Sequence, residues 1–221
     1  MSDASPVVHV IDDDESMRGA LCRLLGAAGL EARQYESAGE FLLSWTGDTP
    51  GCLLLDIRMP GPSGMDLQRA LSQRADSPPV VFLTGYGDIP MSVLAIKRGA
   101  VDFLTKPIER ETLLAAVKTA IERDLARREG HDRQQDLQHN YATLTARERQ
   151  VFVQVAEGRL NKQIAASLHT CERTVKAHRA HVMQKLHAHS VAELVHLAVQ
   201  LEAGSPPVPT DNNWERATAP A

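Results

Sequence analysis

Three aspartates in a row, Asp12, Asp13 and Asp14, close a short apolar run in V-V-H-V-I-D-D-D-E-S, and no cation follows until Arg18. A second apolar run, C-L-L-L, ends in Asp56 and leads into I-R-M-P. Carboxylates brought side by side repel unless a cation sits among them. A hard cation such as Mg²⁺ suits them, since it takes a few carboxylate oxygens and keeps several waters. A third run, V-V-F-L-T, ends in the hydroxyl of Thr84; a fourth, D-F-L-T-K, ends in Lys106 just before Pro107. A lysine beside an acidic group pairs with a carboxylate or with a transferred phosphoryl group. Any one of these groups alone says little. Together, at the ends of successive apolar runs and in this order, they form a coherent set. Asp14 and Glu15 are read differently, as acids opening the next helix, whose dipole favours them there.

Such a set needs a scaffold that brings run ends together. Between the runs lie segments of helical period: Met17, Leu21, Leu24, Leu25 and Ala28; Phe41, Leu42 and Trp45; Met65 to Leu71; Val93 to Lys97. Ser37 and Glu40 have the spacing of a capping box before the second. A weaker strand candidate is L-E-A-R-Q-Y at 30–35. Alternation of this kind over about 120 residues predicts an α/β doubly wound parallel sheet. Ligands in such sheets sit beyond the carboxyl ends of the strands, and the ends carrying Asp12, Asp13 and Asp56 should be neighbours. The acid cluster is then expected to hold Mg²⁺.

From Arg110 the pattern is helical through Leu113, Leu114, Val117, Ile121 and Leu125, then passes into the charged stretch R-R-E-G-H-D-R-Q-Q-D-L-Q-H-N. That stretch has little to bury and reads as a linker over 126–141, helical in pattern, with Gly130 the expected break. Four short helical segments without strand signals follow over 142–202. Thr145 and Glu148 have capping-box spacing after the staple candidate Leu144, and Gly158 should end that helix. N-K-Q-I-A-A-S-L, the turn H-T-C and E-R-T-V-K-A-H-R-A-H-V-M-Q-K-L have the spacing of a helix-turn-helix. The Pro-rich tail, 203–221, is expected to be disordered.

Residues 1–127 carry net charge −5 and residues 142–202 net +3, an asymmetry suggesting two domains with different partners. The three scattered cysteines lack metal-ligand or disulfide spacing. No spanning apolar segment and no secretory signal is evident, so a cytoplasmic location is expected.

The blocks V-I-D-D-D, L-L-L-D-I-R-M-P-G-P-S-G, L-T-G-Y-G-D and F-L-T-K-P resemble the CheY-like receiver domain of two-component response regulators over residues 5–125. The resemblance implies Asp56 as phosphoacceptor and Asp12 and Asp13 as the acid pair. It implies Mg²⁺ held by Asp13, Asp56 and the Arg58 backbone carbonyl, within the cluster that includes Asp12. Thr84 and Lys106 would contact the phosphoryl group, Phe103 would be the switch aromatic, and Lys106–Pro107 would be cis. Residues 142–202 resemble the LuxR/FixJ-type helix-turn-helix domain, and N-K-Q-I-A, V-M-Q-K-L and L-V-H-L look closest to the FixJ/StyR branch, some of whose members control aromatic-hydrocarbon catabolism. By position, Lys176, Ala177 and Ala180 would meet bases; Asn161, Lys162, Thr174 and Arg179 would meet phosphates. His169 and Cys171 stand where glycine and a capping serine are usual.

The implied protein is a DNA-binding transcription factor that a sensor histidine kinase activates by phosphorylating Asp56. It would pair as a homodimer on promoter DNA, with RNA polymerase a further partner, and would be no enzyme beyond its own phosphorylation and dephosphorylation. Two rivals differ in class. A Mg-dependent phosphotransferase would need a cap insertion and a nucleophile on the first strand, whereas the loops here are short and Asp56 ends the third. A phosphorylation-independent DNA binder would have no use for the complete acid–Thr–Lys set.

Overall fold

The computed structural model describes residues 5–74, 76–85 and 89–203. The chain divides into two compact units, with the boundary between Glu129 and Gly130.

In the first unit five parallel strands lie in the order β2-β1-β3-β4-β5: β1 (Val7–Ile11), β2 (Glu31–Tyr35), β3 (Gly51–Asp56), β4 (Val80–Thr84) and β5 (Asp102–Thr105). Every residue of β1, β3 and β4 is buried, which is why they read as continuous apolar runs without alternation. Their two-residue period still sorts side chains between faces. Val8, Val10, Cys52, Leu54, Val81 and Leu83 pack with Leu21 and Leu25 of α1 (Glu15–Ala27) and with Leu113 and Val117 of α5 (Arg110–Ala142). Ile11, Leu53, Leu55 and Phe82 pack on the other face with α2 (Ala38–Ser44), α3 (Gly64–Leu71) and α4 (Ile89–Lys97), through Phe41, Leu67, Leu71 and Ala95.

Local chemistry sets the helix ends. Asp14 caps α1, its carboxylate accepting from the backbone N–H groups of Ser16 and Met17. Ser37 and Ser63 cap α2 and α3, the latter in a reciprocal box with Asp66. Three sequence expectations need correction. Leu42 is 43% exposed and does not join the core. Among the described side chains of α4 only Ala95 is fully buried, while Val93, Leu94 and Ile96 all face outward. Helix α5 runs through Gly130 without a break, since one glycine costs only about 1 kcal/mol against alanine in a helix.

The second unit contains α6 (Ala146–Ala156), α7 (Asn161–Ser167), α8 (Glu172–Lys185) and α9 (Val191–Ala203). Leu144, Val151, Phe152, Val155, Ile164, Val175, Val182, Leu186 and Leu194 form its core. Thr145 and Glu148 close the expected capping box. Gly158, at φ +79°, ends α6, with Gly158 N–H donating to Val155 O and Arg159 N–H to Gln154 O, the paired bonds of a Schellman motif. His169 takes the same left-handed role after α7, at φ +50°. Among the described residues no helix is long and apolar enough to cross a membrane. The tail expected to be disordered lies outside the described residues, apart from Ala203.

Candidate functional site

The carboxyl ends of β1, β3, β4 and β5 carry Asp12, Asp56, Thr84 and Lys106, immediately at or just past each strand. The ammonium of Lys106 donates to Asp12 Oδ2 at 2.6 Å and to Asp56 Oδ1 at 2.8 Å. Asp56 Oδ2 accepts from the Arg58 N–H at 2.7 Å, and Asp12 Oδ1 accepts from the Asp14 N–H at 3.0 Å. Arg18 reaches the same corner and donates to the Asp12 backbone carbonyl. Asp12, Asp56 and Thr84 are all buried; Asp13 and Arg58 are exposed at the rim. Gly64, at the start of α3, lies so close to the Asp56 carbonyl oxygen that a Cβ there would overlap it.

Burial pushes the Asp56 carboxyl above its usual range, with the Asp12 charge adding to the rise, while the hydrogen bond and charge of Lys106 and the Arg58 N–H oppose it. Burial works to lower Lys106, but its bonds to Asp12 and Asp56 outweigh that and hold the ammonium above its ordinary value. The donor set of Asp12, Asp13, Asp56 and a backbone carbonyl is all oxygen, with one acid open to water, and suits a hard divalent ion. Phe103 in β5 is half-buried, its ring 6.4 Å from that of Phe82. Lys106–Pro107 is cis.

Within the second unit, α7 and α8 are joined by a tight turn. Val175 and Val182 point into the core, leaving Lys176, Ala177 and Ala180 exposed on one side of α8 and Lys162 exposed on α7. Asn161 and Arg179 are drawn together: the Arg179 guanidinium donates to Asn161 Oδ1 at 3.1 Å. Cys171 occupies the N-cap of α8 without bonding the helix backbone through its side chain; its sulfur instead lies 3.2 Å from the hydroxyl of half-buried Thr174.

Two family models match. "Response regulator receiver domain" covers residues 8–118, and "Bacterial regulatory proteins, luxR family" covers residues 142–198. The response regulator protein TodT of Pseudomonas putida is 42% identical over 91% of this chain and 89% of its own length. Nodulation protein W of Bradyrhizobium diazoefficiens is 46% identical over 88% of this chain and 86% of its own.

The chain is a response regulator of the FixJ/LuxR class. The solved structure of the response regulator StyR superposes with a TM-score of 0.81 at 45% identity, over 89% of this response regulator and all of that chain. Full-length FixJ from B. japonicum gives 0.54 at 37% identity over 91% of this chain and all of its own. As a member of this class, the protein is a DNA-binding transcription factor with an N-terminal receiver.

Several structural residues lay outside the sequence reading. His9 is buried in β1, with Nδ1 3.0 Å from the Tyr35 hydroxyl, and burial lowers its pKa to about 4. Asp124 is wholly buried in α5. It binds Arg127 and Arg128 at 2.7 Å each and accepts from the Gly51 N–H at 3.0 Å. Its only sequence signal is an acid followed by two arginines at i+3 and i+4.

Proposed function

We propose that Asp56 accepts a phosphoryl group from a sensor histidine kinase or a small phosphoryl donor, and that phosphorylation pairs two receivers on promoter DNA. In the transfer, an Asp56 carboxylate oxygen forms a bond to phosphorus while the bond to the donor's leaving group breaks. That group departs with the electron pair, leaving an acyl phosphate. The observation that carries this reading is the double hydrogen bond of Lys106 to Asp12 and Asp56, beside buried Thr84. Lys106 is held where charge grows on the transferring oxygens, and Thr84 is within the same strand-end group to donate to them. Asp12, Asp13, Asp56 and the Arg58 carbonyl would hold Mg²⁺, which when bound offsets the negative charge of acids and phosphoryl group together. Hydrolysis of the acyl phosphate, the only other chemistry assigned to the chain, resets it.

Activation runs through Thr84 and Phe103 to the β4–α4–β5 face. That face suits self-pairing because α4 exposes Val93, Leu94 and Ile96 side by side. The receiver over 1–125 is linked by a helical connector, 126–141, to the DNA-binding domain at 142–202. Lys176, Ala177 and Ala180 face bases, while Asn161, Lys162, Thr174 and Arg179 meet phosphates. The Asn161–Arg179 bond orients that guanidinium before DNA arrives. RNA polymerase is the onward partner, and the site of action is the cytoplasm. Incubating wild type and Asp56→Asn with acetyl phosphate and Mg²⁺ tests the site. Intact-mass analysis should find one phosphoryl group on the wild type and none on the variant; equal labelling of both would refute it.

A further inference from the structure

In the second unit, α6 and α8 bring Glu148, His178 and His181 together. One carboxylate oxygen and one nitrogen from each ring all lie within 4.8 Å of one another. We propose that this triad binds a divalent cation of the zinc class, through one carboxylate oxygen and two imidazoles, with a fourth position open to water.

The ligands come from rigid elements. His178 and His181 stand three apart on α8 and so share one helix face. Glu148 sits in the first turn of α6, 4% exposed, and its carboxylate is already oriented. Oε2 accepts from the Thr145 N–H at 2.8 Å and from Lys185 Nζ at 2.7 Å, which leaves Oε1 facing His181 Nδ1 at 3.7 Å. Ligand atoms around a tetrahedral Zn²⁺ stand about 3.3 Å apart, given metal–ligand bonds near 2.0 Å. Closing the triad to that spacing, from separations of up to 4.8 Å, asks for side-chain rotation of exposed His181 and half-buried His178. Two imidazoles with one carboxylate suit Zn²⁺, Ni²⁺ or Cu²⁺, whereas Mg²⁺ and Ca²⁺ take oxygen donors.

Lys185 sets the strength of the site. Its ammonium orients the carboxylate as an outer partner does, but it also repels an incoming cation. The affinity expected is therefore micromolar, well short of a closed structural zinc site. Because His181 opens to solvent, an ion can enter without unfolding the domain. Once bound it ties the start of α6 to α8. Ala177 lies one turn before His181 on α8, so an ion held by the triad borders the assigned base-reading side.

The test is calorimetric titration of the chelator-treated full chain with ZnCl₂, in millimolar Mg²⁺ so that oxygen-rich carboxylate sites are already filled. Co²⁺ is added in parallel as an optical probe. The expected result is one site per chain, a tetrahedral Co²⁺ visible band, and about a tenfold or greater loss of affinity in His181→Ala. His178→Asn should behave alike, while His196→Ala, outside the triad, should bind as wild type does. Circular dichroism melts confirm that each variant is folded. Zinc affinity unchanged in folded His181→Ala, or no saturable binding by the wild type, would overturn the proposal.

Discussion

Lys106 Nζ hydrogen-bonds Asp56 Oδ1 at 2.8 Å, joining the ends of β5 and β3 across the end of β4. The bond opposes the rise in carboxyl pKa that burial imposes on Asp56. Replacing Lys106 with Met removes the opposition and keeps the burial. The titration midpoint of Asp56, followed by the carboxyl ¹³C shift, should therefore move further upward in Lys106→Met. An unchanged or lower midpoint would mean that the ammonium does not govern this acid.

The ends of β1, β3, β4 and β5 were legible because their apolar runs stop abruptly at a chemically distinct residue. β1, β3 and β4, buried on both faces, leave no other pattern to confuse with that stop. What could not be read were polar groups whose partners are remote in sequence. His9 meets Tyr35, Asp124 meets Gly51 and Glu148 meets Lys185, and nothing in the local pattern names those partners. The outward face of α4 was equally hidden, since Val93, Leu94 and Ile96 look like core residues until the fold leaves them uncovered. Gly130 misled for an energetic reason: a helix of 33 residues absorbs a single unfavourable position.

His9 makes the receiver's stability depend on pH. Its folded pKa, about 4, lies below the ordinary 6.5, so the unfolded chain binds the proton more readily. The stabilising contribution is full above pH 6.5 and declines as pH falls through the folded value. It amounts to a loss of about 2 kcal/mol between pH 7 and pH 5. Asp56, with its raised pKa, contributes in the opposite sense, so the comparison must be with His9→Leu. Urea unfolding of that variant should show a shallower loss of stability on acidification than wild type; parallel profiles would contradict the assignment.

Asp124 is predicted to matter far more than surface ion pairs. Asp124→Ala removes the carboxylate that binds Arg127, Arg128 and the Gly51 N–H, and should cost about 3 kcal/mol in denaturant unfolding. Glu31→Ala breaks an exposed pair with Arg33 and should cost less than about 1 kcal/mol. Comparable losses would show that Asp124 does not anchor α5 to the start of β3.

Lys176 is the one charged side chain among the residues assigned to bases. Lys176→Ala should weaken operator binding by about 1–3 kcal/mol and relax preference at one position of each half-site. Competition assays against single-base variants of the operator measure both effects. A uniform loss across all sequences, with a reduced salt dependence, would make Lys176 a phosphate contact instead.

Phosphorylation of Asp56 is proposed to control DNA binding through receiver pairing. The most direct measurement is footprinting of the full chain on the DNA flanking its gene, with and without acetyl phosphate, for wild type and Asp56→Asn, with the mass in solution followed by light scattering. Pairing makes the second half-site contact intramolecular, so the donor should raise wild-type affinity by about tenfold or more while the monomer becomes a dimer. Asp56→Asn should show neither change. A wild type that is already a tight dimer and binds equally well without the donor, or an Asp56→Asn variant that gains as much from it, would rule out control through Asp56 and receiver pairing.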